Sequence, residues 1–265
     1  LGPGLLYAAV AVGVSHLVQA TRAGADFGLG MVLVVIFACL MKYPGLRFGG
    51  EYAAATGKNL VVNYRERGSL VFGLFAVSQL FSMVFIIAAV SLFTSGLLQV
   101  ALGFQTGPVM SVFILLVLVA ILLMTGHYKV LEKVIKGIVF GFTLLTTVCM
   151  LLVISRLDLS LSAFALPAFD VPTVLFIVAL VGFMPSPTDA SILQSLWTVA
   201  RAESEGRRAT KEESRFDFNV GYITSCILAI FFLFLGTAVL FESGVAMPAD
   251  NAGFARRLLE VYTSI

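Results

Sequence analysis

Two apolar stretches, residues 5–24 and 174–200, each carry a short polar kernel that disfavours helix. In the first the kernel is Gly13-Val14-Ser15-His16; in the second it is Pro185-Ser186-Pro187-Thr188-Asp189. A helix of ~20 apolar residues crosses a ~30 Å hydrocarbon core. Hydrocarbon offers no partners to bare backbone groups, so a broken turn at that depth survives only against protein or a wet cavity. Two such breaks, one opening the chain and one past its middle, predict a carrier built from inverted repeats with its substrate at the breaks.

Composition agrees. Only 12% of the 265 residues are charged and 59% are hydrophobic, whereas a soluble domain is about a quarter charged. The expected fold class is an all-α multi-pass membrane protein; the alternating pattern of a membrane barrel is absent. A dispersed net charge of +2 gives no reason to expect nucleic acid. The expected partners are the lipid bilayer and a small inorganic ion or small solute, with the chain as a monomer. Cys39, Cys149 and Cys226 sit inside apolar stretches at spacings that fit no metal or redox motif, which predicts packing. Without paired carboxylates or a phosphate loop, no enzyme activity and no cofactor are expected.

The spans are read as 5–24, 29–41, 70–102, 109–124, a fifth ending at Ser155, the broken sixth over 174–200, and a seventh over 219–241. Lys42-Tyr43-Pro44 is taken as the membrane interface closing span two. Residues 47–56 are read as continuing as a surface helix, 57–68 and 201–215 as charged loops, 157–172 as an external loop, and 254–262 as a short amphipathic helix. Arg22 with Asp26, and Arg47 with Glu51, are four apart and placed to pair. Ser78, Gln79 and Gln99 are expected to bond between helices. The loops after spans two, four and six hold thirteen of the seventeen Lys and Arg; the other side holds Arg22, Arg156, Arg256 and Arg257. That asymmetry predicts a cytoplasmic N-terminus in a plasma (inner) membrane. Residues 1–156 form a first repeat and 157–265 begin a second. An odd number of spans and a first residue Leu1 suggest most of a carrier, truncated after about seven helices, with no cleavable signal.

At the breaks, the carbonyls of Val10, Ala11 and Val12, and of Leu180, Val181 and Gly182, are expected to lose helical partners and to carry partial negative charge. His16 is the only histidine at membrane depth, either a ligand or a group bonded to freed backbone. Met184 offers soft sulphur or simple packing. Asp189 either stands in the first turn of a helix capped by Ser186 with Pro187 at its first position, or aims a carboxylate into a cavity. Ser15, Gln19, Ser186, Thr188, Ser191 and Gln194 are candidate lining residues. Adjacent Ser15 and His16 are expected to point apart.

Several motifs resemble the Nramp divalent-metal transporters. They are Gly2-Pro3-Gly4, Arg22-Ala23-Gly24-Ala25 with Phe27-Gly28, Ala55-Thr56-Gly57-Lys58-Asn59-Leu60, Leu131-Glu132-Lys133 and Met184-Pro185. The resemblance covers essentially the whole chain and implies a LeuT-type inverted-repeat helical bundle that moves a divalent metal by alternating access. It also implies Met184 and the backbone carbonyls of Val10 and Val181 as metal-binding groups. Where the family reads D-P-G-N, this chain reads Gly13-Val14-Ser15-His16, so Gly13 stands in place of a ligand Asp and His16 in place of the Asn. The family's M-P-H reads Met184-Pro185-Ser186, and its acidic residues of span three fall near Ile86 and Ala89. The implied site is therefore an altered one at His16, Met184 and Asp189. A carrier of the same fold for an organic or anionic solute, and a membrane sensor or scaffold, are the alternatives.

Overall fold

The computed structural model describes residues 2–103, 106–125 and 128–241, together with Gly253, Arg256 and Arg257. The helix expected over 254–262 falls largely outside them, as does His127. Every regular element among the described residues is helical. Ser15–Thr56, Ser69–Leu102, Lys133–Arg156 and Lys211–Phe241 are long and apolar enough to cross a membrane, and Pro108–Met124 and Val171–Phe183 are shorter apolar helices.

Both breaks exist. Helix α1 (Pro3–Ala11) meets a non-helical Gly13 (φ −71°, ψ −130°), passes through wide π-type turns over Val12–Ala20, and resumes as α2 (Thr21–Phe27). Gly28 at φ 60° stops α2, a conformation a side chain would resist. In the second stretch, α8 (Val171–Phe183) and α9 (Ala190–Glu205) flank non-helical residues 184–189. Asp170 starts α8 by accepting from the Thr173 N–H at 2.9 Å. The Thr173 hydroxyl, and then that N–H, hold the Asp170 carboxyl below the usual carboxylate range.

Helix α3 (Val32–Thr56) corrects the expected stop at Lys42-Tyr43-Pro44, because it runs straight through Pro44. An interior proline costs about 3 kcal/mol; packing on both sides offsets it. Helix α9 docks at Gly49, where an added Cβ would lie 1.9 Å from the Ser191 carbonyl. On the other side is α10 (Lys211–Gly236), continued in wide turns over Thr237–Phe241. Tyr43 there donates to Asn219 at 2.7 Å, and Arg215 reaches Glu51 at 2.6 Å. Arg47 pairs with the same Glu51 at 3.1 Å, and Arg22 with Asp26 at 3.3 Å, as their spacing predicts.

The expected loops shrink. Residues 57–68 contain α4 (Leu60–Glu66), capped by Asn59. The charged stretch 201–215 is mostly helix: Arg201 and Glu205 pair at 2.9 Å on the end of α9, Gly206 stops it, and a Thr210–Glu213 capping box opens α10. Helices α5 (Ser69–Leu102) and α6 (Pro108–Thr125) pack as a hairpin, and α7 (Tyr128–Val153) follows. Gln99 bonds across that hairpin to Ser111, as expected, but Ser78 bonds within its own helix to Phe75.

Helix α10 is the centre of the bundle, packed on α1, α2, α3 and α7. It lies against the first broken rod at two levels. A Cβ on Gly221 would sit 1.9 Å from the Gly4 carbonyl, and one on Gly236 would sit 2.1 Å from that of Thr21. Residue numbers rise together along both rods, so they run parallel, joined through small residues as membrane helices commonly are. Asp217 fastens the start of α1 by accepting from the N–H groups of Gly2 and Gly4, each at 2.8 Å. Pro3 between them has no N–H, and these two are among the first-turn N–H groups that a helix start leaves without partners. Asp217→Asn swaps one acceptor oxygen for a donor and removes the charge. It is expected to lower stability by about 1 kcal/mol, read as a lower melting temperature of the purified protein; an unchanged melt contradicts the anchoring role.

Candidate functional site

The two breaks touch. The Ser15 hydroxyl lies 3.5 Å from the Pro185 carbonyl, and the hydroxyls of Tyr7 and Ser186 are bonded at 2.8 Å. Tyr7 is fully buried on α1 among Phe218 and Tyr222 of α10, at ring-centroid distances of 5.1 and 5.8 Å. The aromatic cluster thus aims the phenol at the second break.

His16 is fully buried. Its Nε2 lies 2.7 Å from the Ser225 carbonyl, which can only accept, so Nε2 carries a proton. Its Nδ1 lies 2.9 Å from the Ser15 hydroxyl. The expectation that neighbours 15 and 16 point apart is corrected: the wide turns after Gly13 swing both side chains to one side. The Ser15 hydroxyl also lies against the Ala11 carbonyl, one of those expected to be bare, so its single proton is shared between that oxygen and Nδ1.

The end of α8 is also less bare than its sequence suggests. The Leu180 carbonyl accepts from the Met184 N–H at 2.8 Å. The Lys42 ammonium, reaching across from α3, donates to the Gly182 carbonyl at 2.7 Å and to the Ser186 carbonyl at 3.2 Å. A cation at a helix C-terminus meets the negative end of the helix dipole. Ser186 therefore does not cap α9, which corrects that expectation. Its hydroxyl bonds to Tyr7 and its carbonyl to Lys42, and the helix starts four residues later at Ala190, with Asp189 at the preceding position making no side-chain capping bond.

The remaining predicted residues divide. Met184 is fully buried in the main apolar cluster, against which Val181 packs. Gly13 is exposed and Gln19 half-buried on the turns after it, while the Val10 side chain faces outward. Asp189, Thr188 and Ser191 line a cavity of about 360 Å³ with Lys42, Tyr64 and Gln79. Ser191 also ties α9 to α3, donating to the Gly45 carbonyl at 2.9 Å and accepting from the Gly49 N–H at 3.1 Å. Gln194 is buried with neither amide atom hydrogen-bonded among the described residues. The first break thus meets the second at Pro185 through Ser15, the neighbour of His16, while Asp189 at the far end of the second break lines the cavity. Among the described residues, no three His, Cys, Asp or Glu side chains gather as a metal-holding group. Sequence reasoning missed Lys42, Tyr7 and Ser225. An ionisable side chain beside a long apolar run was a signal for Lys42; its neighbours Tyr43 and Pro44 disguised it as an interface marker.

The profile of the Natural resistance-associated macrophage protein-like (Nramp) family matches residues 4–264. The chain belongs to the Nramp family. An uncharacterized protein of Pasteurella multocida (strain Pm70) is 34% identical over 272 residues, covering all of this Nramp chain and 61% of that protein. Two crystal structures of the Eremococcus coleocola manganese transporter have a similar fold. One holds an aromatic bis-isothiourea substituted compound and the other is a point mutant. The TM-scores are 0.66 and 0.65, each at 16% identity, over 99% of this chain and 61% and 60% of theirs. The Nramp chain thus spans about three fifths of the relatives it matches. Its fold is the helical bundle of the LeuT-type transporters, and family and apolar helices together make it an integral membrane protein.

Proposed function

We propose that this Nramp chain is the larger part of a secondary transporter that moves a divalent metal ion across a membrane by alternating access, with the metal taken up between the two breaks. The observation that carries the reading is the meeting of the breaks, Ser15 on Pro185 and Tyr7 on Ser186. His16 supports it chemically. Ligating histidines usually donate their second N–H to a backbone carbonyl, which fixes the ring and leaves the other nitrogen for the metal. The Ser225 carbonyl takes Nε2–H in this way, leaving Nδ1 behind the Ser15 hydroxyl. With Met184 sulphur, such a site prefers a transition metal to Mg²⁺. Asp189 would complete the set after a movement of α9. The two repeats, 1–156 and 157–265, the cytoplasmic N-terminus, the plasma membrane and a monomeric state belong to the same reading.

Manganese uptake by the full-length protein in liposomes tests it. His16→Ala and Met184→Ala are each expected to lower apparent Mn²⁺ affinity at least about tenfold. Wild-type uptake in both variants removes those residues from the site. A second reading, a carrier of an organic or anionic solute, is favoured by the Lys42 ammonium in the cavity shared with Thr188 and Ser191. Calorimetry that finds no binding of Mn²⁺, Co²⁺ or Cd²⁺, but binding of a carboxylate solute, selects it.

A further inference from the structure

Lys42 has no place in the metal site just proposed, yet its ammonium holds the middle of the second break. We infer that Lys42 is a tethered monovalent cation: its ammonium occupies a carbonyl site at the end of α8 that would otherwise take a free monovalent cation. The inference rests on the reading of the breaks as the transport site for its meaning, though its chemistry stands on Lys42 and two carbonyls alone.

The geometry is that of ion coordination by neutral oxygens. The Gly182 carbonyl belongs to the last turn of α8 and the Ser186 carbonyl to the unwound stretch, and one ammonium spans them at 2.7 and 3.2 Å. Neither oxygen has an ordinary helical donor at that point, because the chain leaves the helix at Met184. About half a negative charge gathers at a helix C-terminus, which one positive charge offsets and a second would over-fill. Groups packed nearby supply hydroxyls and one carboxylate: Ser186 is held by Tyr7, and Thr188, Ser191 and Asp189 line the cavity with Lys42. A lysine stem of four methylenes lets α3 deliver the charge without a loop or a dissociating ion. The consequence is mechanical as well. Movement of α8 or the break away from α3 must first pull two carbonyls off the ammonium, so Lys42 stabilises this packing of the second break with no ion from solution.

The test needs neither transition metal nor transport, so its failure is separate from failure of the uptake assay above. Thermal melts of the full-length protein in detergent are compared in choline, sodium, potassium and ethylammonium chloride at one ionic strength. Wild type is expected to melt at the same temperature in all four. Lys42→Ala vacates both the charge and the stem. It is expected to melt lower in choline and to recover by several degrees in ethylammonium or sodium at about 100 times the dissociation constant. Lys42→Met, which refills the stem without the charge, is expected to melt low and to gain nothing from ethylammonium. Lys42→Ala as stable as wild type in choline, or equally weakened in all four salts, overturns the inference. Should Lys42→Ala not survive purification in choline, purification in ethylammonium chloride throughout makes the same test: recovery supports the tethered cation, and continued loss while Lys42→Met purifies normally overturns it.

Discussion

Gly221→Val is expected to abolish the monodisperse folded protein, and Gly221→Ala to lower its stability by at least about 3 kcal/mol, the upper range for over-packed sites. The obstacle is backbone. A Cβ on Gly221 falls 1.9 Å from the Gly4 carbonyl oxygen and 2.6 Å from its carbon. No rotamer change relieves such a clash, so α1 and α10 must separate. One turn away on the same face of α10, Asp217 holds the N–H groups of Gly2 and Gly4. Beside it, Phe218 and Tyr222 hold the Tyr7 ring. Separation would loosen the anchor, the aromatic cluster and the Tyr7–Ser186 bond together. Gly137→Ala is the comparison, because a Cβ there meets nothing within 4 Å. It is expected to be neutral or to stabilise α7 by up to about 1 kcal/mol. Size-exclusion profiles and thermal melts of the three variants decide the matter. A Gly221→Ala protein that melts with wild type would show that the rods are not in close backbone contact.

The membrane spans were legible because lipid leaves few solutions. Once residues 70–102 or 219–241 are too apolar and too long for a soluble domain, helix follows. The breaks were legible for the same reason, since Gly13 and Pro185 to Asp189 interrupt runs that otherwise have no cause to stop. Boundaries failed where water or packing, rather than lipid, sets the rule. Pro44 reads as a terminator from its own chemistry, and only the contacts of Gly49 and Glu51 with α9 and α10 explain why α3 continues. The stretch 201–215 reads as a loop by charge density. Its order comes from an i,i+4 pair and a T-x-x-E capping box at Thr210 and Glu213, both written locally in the sequence.

The site was less legible than the breaks that frame it. Sequence places His16 and residues 185–189 at similar depth, but says nothing about which donor meets which carbonyl. Ser225 meets His16 across 209 positions, and Lys42 meets Gly182 across 140. Such pairings follow from how α3 and α10 pack, and no local pattern encodes them. The candidate set of His16, Met184 and Asp189 rests on side-chain chemistry, on position at the breaks and on the Nramp resemblance. The fold gives each a different neighbourhood: a hydrogen-bonded imidazole, a buried thioether, and a carboxylate in a neighbouring cavity.

That division makes Gly13 the most informative position in the molecule. Gly13→Asp is expected to raise Mn²⁺ affinity about 10–100-fold if the metal enters between the breaks. The backbone at Gly13 has φ −71°, outside the left-handed region, and an added Cβ meets nothing within 4 Å. No packing contact therefore opposes a side chain there. A carboxylate about 4 Å from a unit positive charge gains about 4 kcal/mol at an effective dielectric of 20, and a dication doubles it. Desolvation of both ions removes much of that gain, leaving the stated range at 1.4 kcal/mol per tenfold. Gly13→Asn separates charge from simple ligation, because it offers an oxygen without the charge and should gain far less. Calorimetric titration of both variants with Mn²⁺ provides the comparison. Equal affinities for wild type, Gly13→Asp and Gly13→Asn would place the metal elsewhere. The Lys42 ammonium and its cavity would then be the better guide to the solute of the proposed carrier.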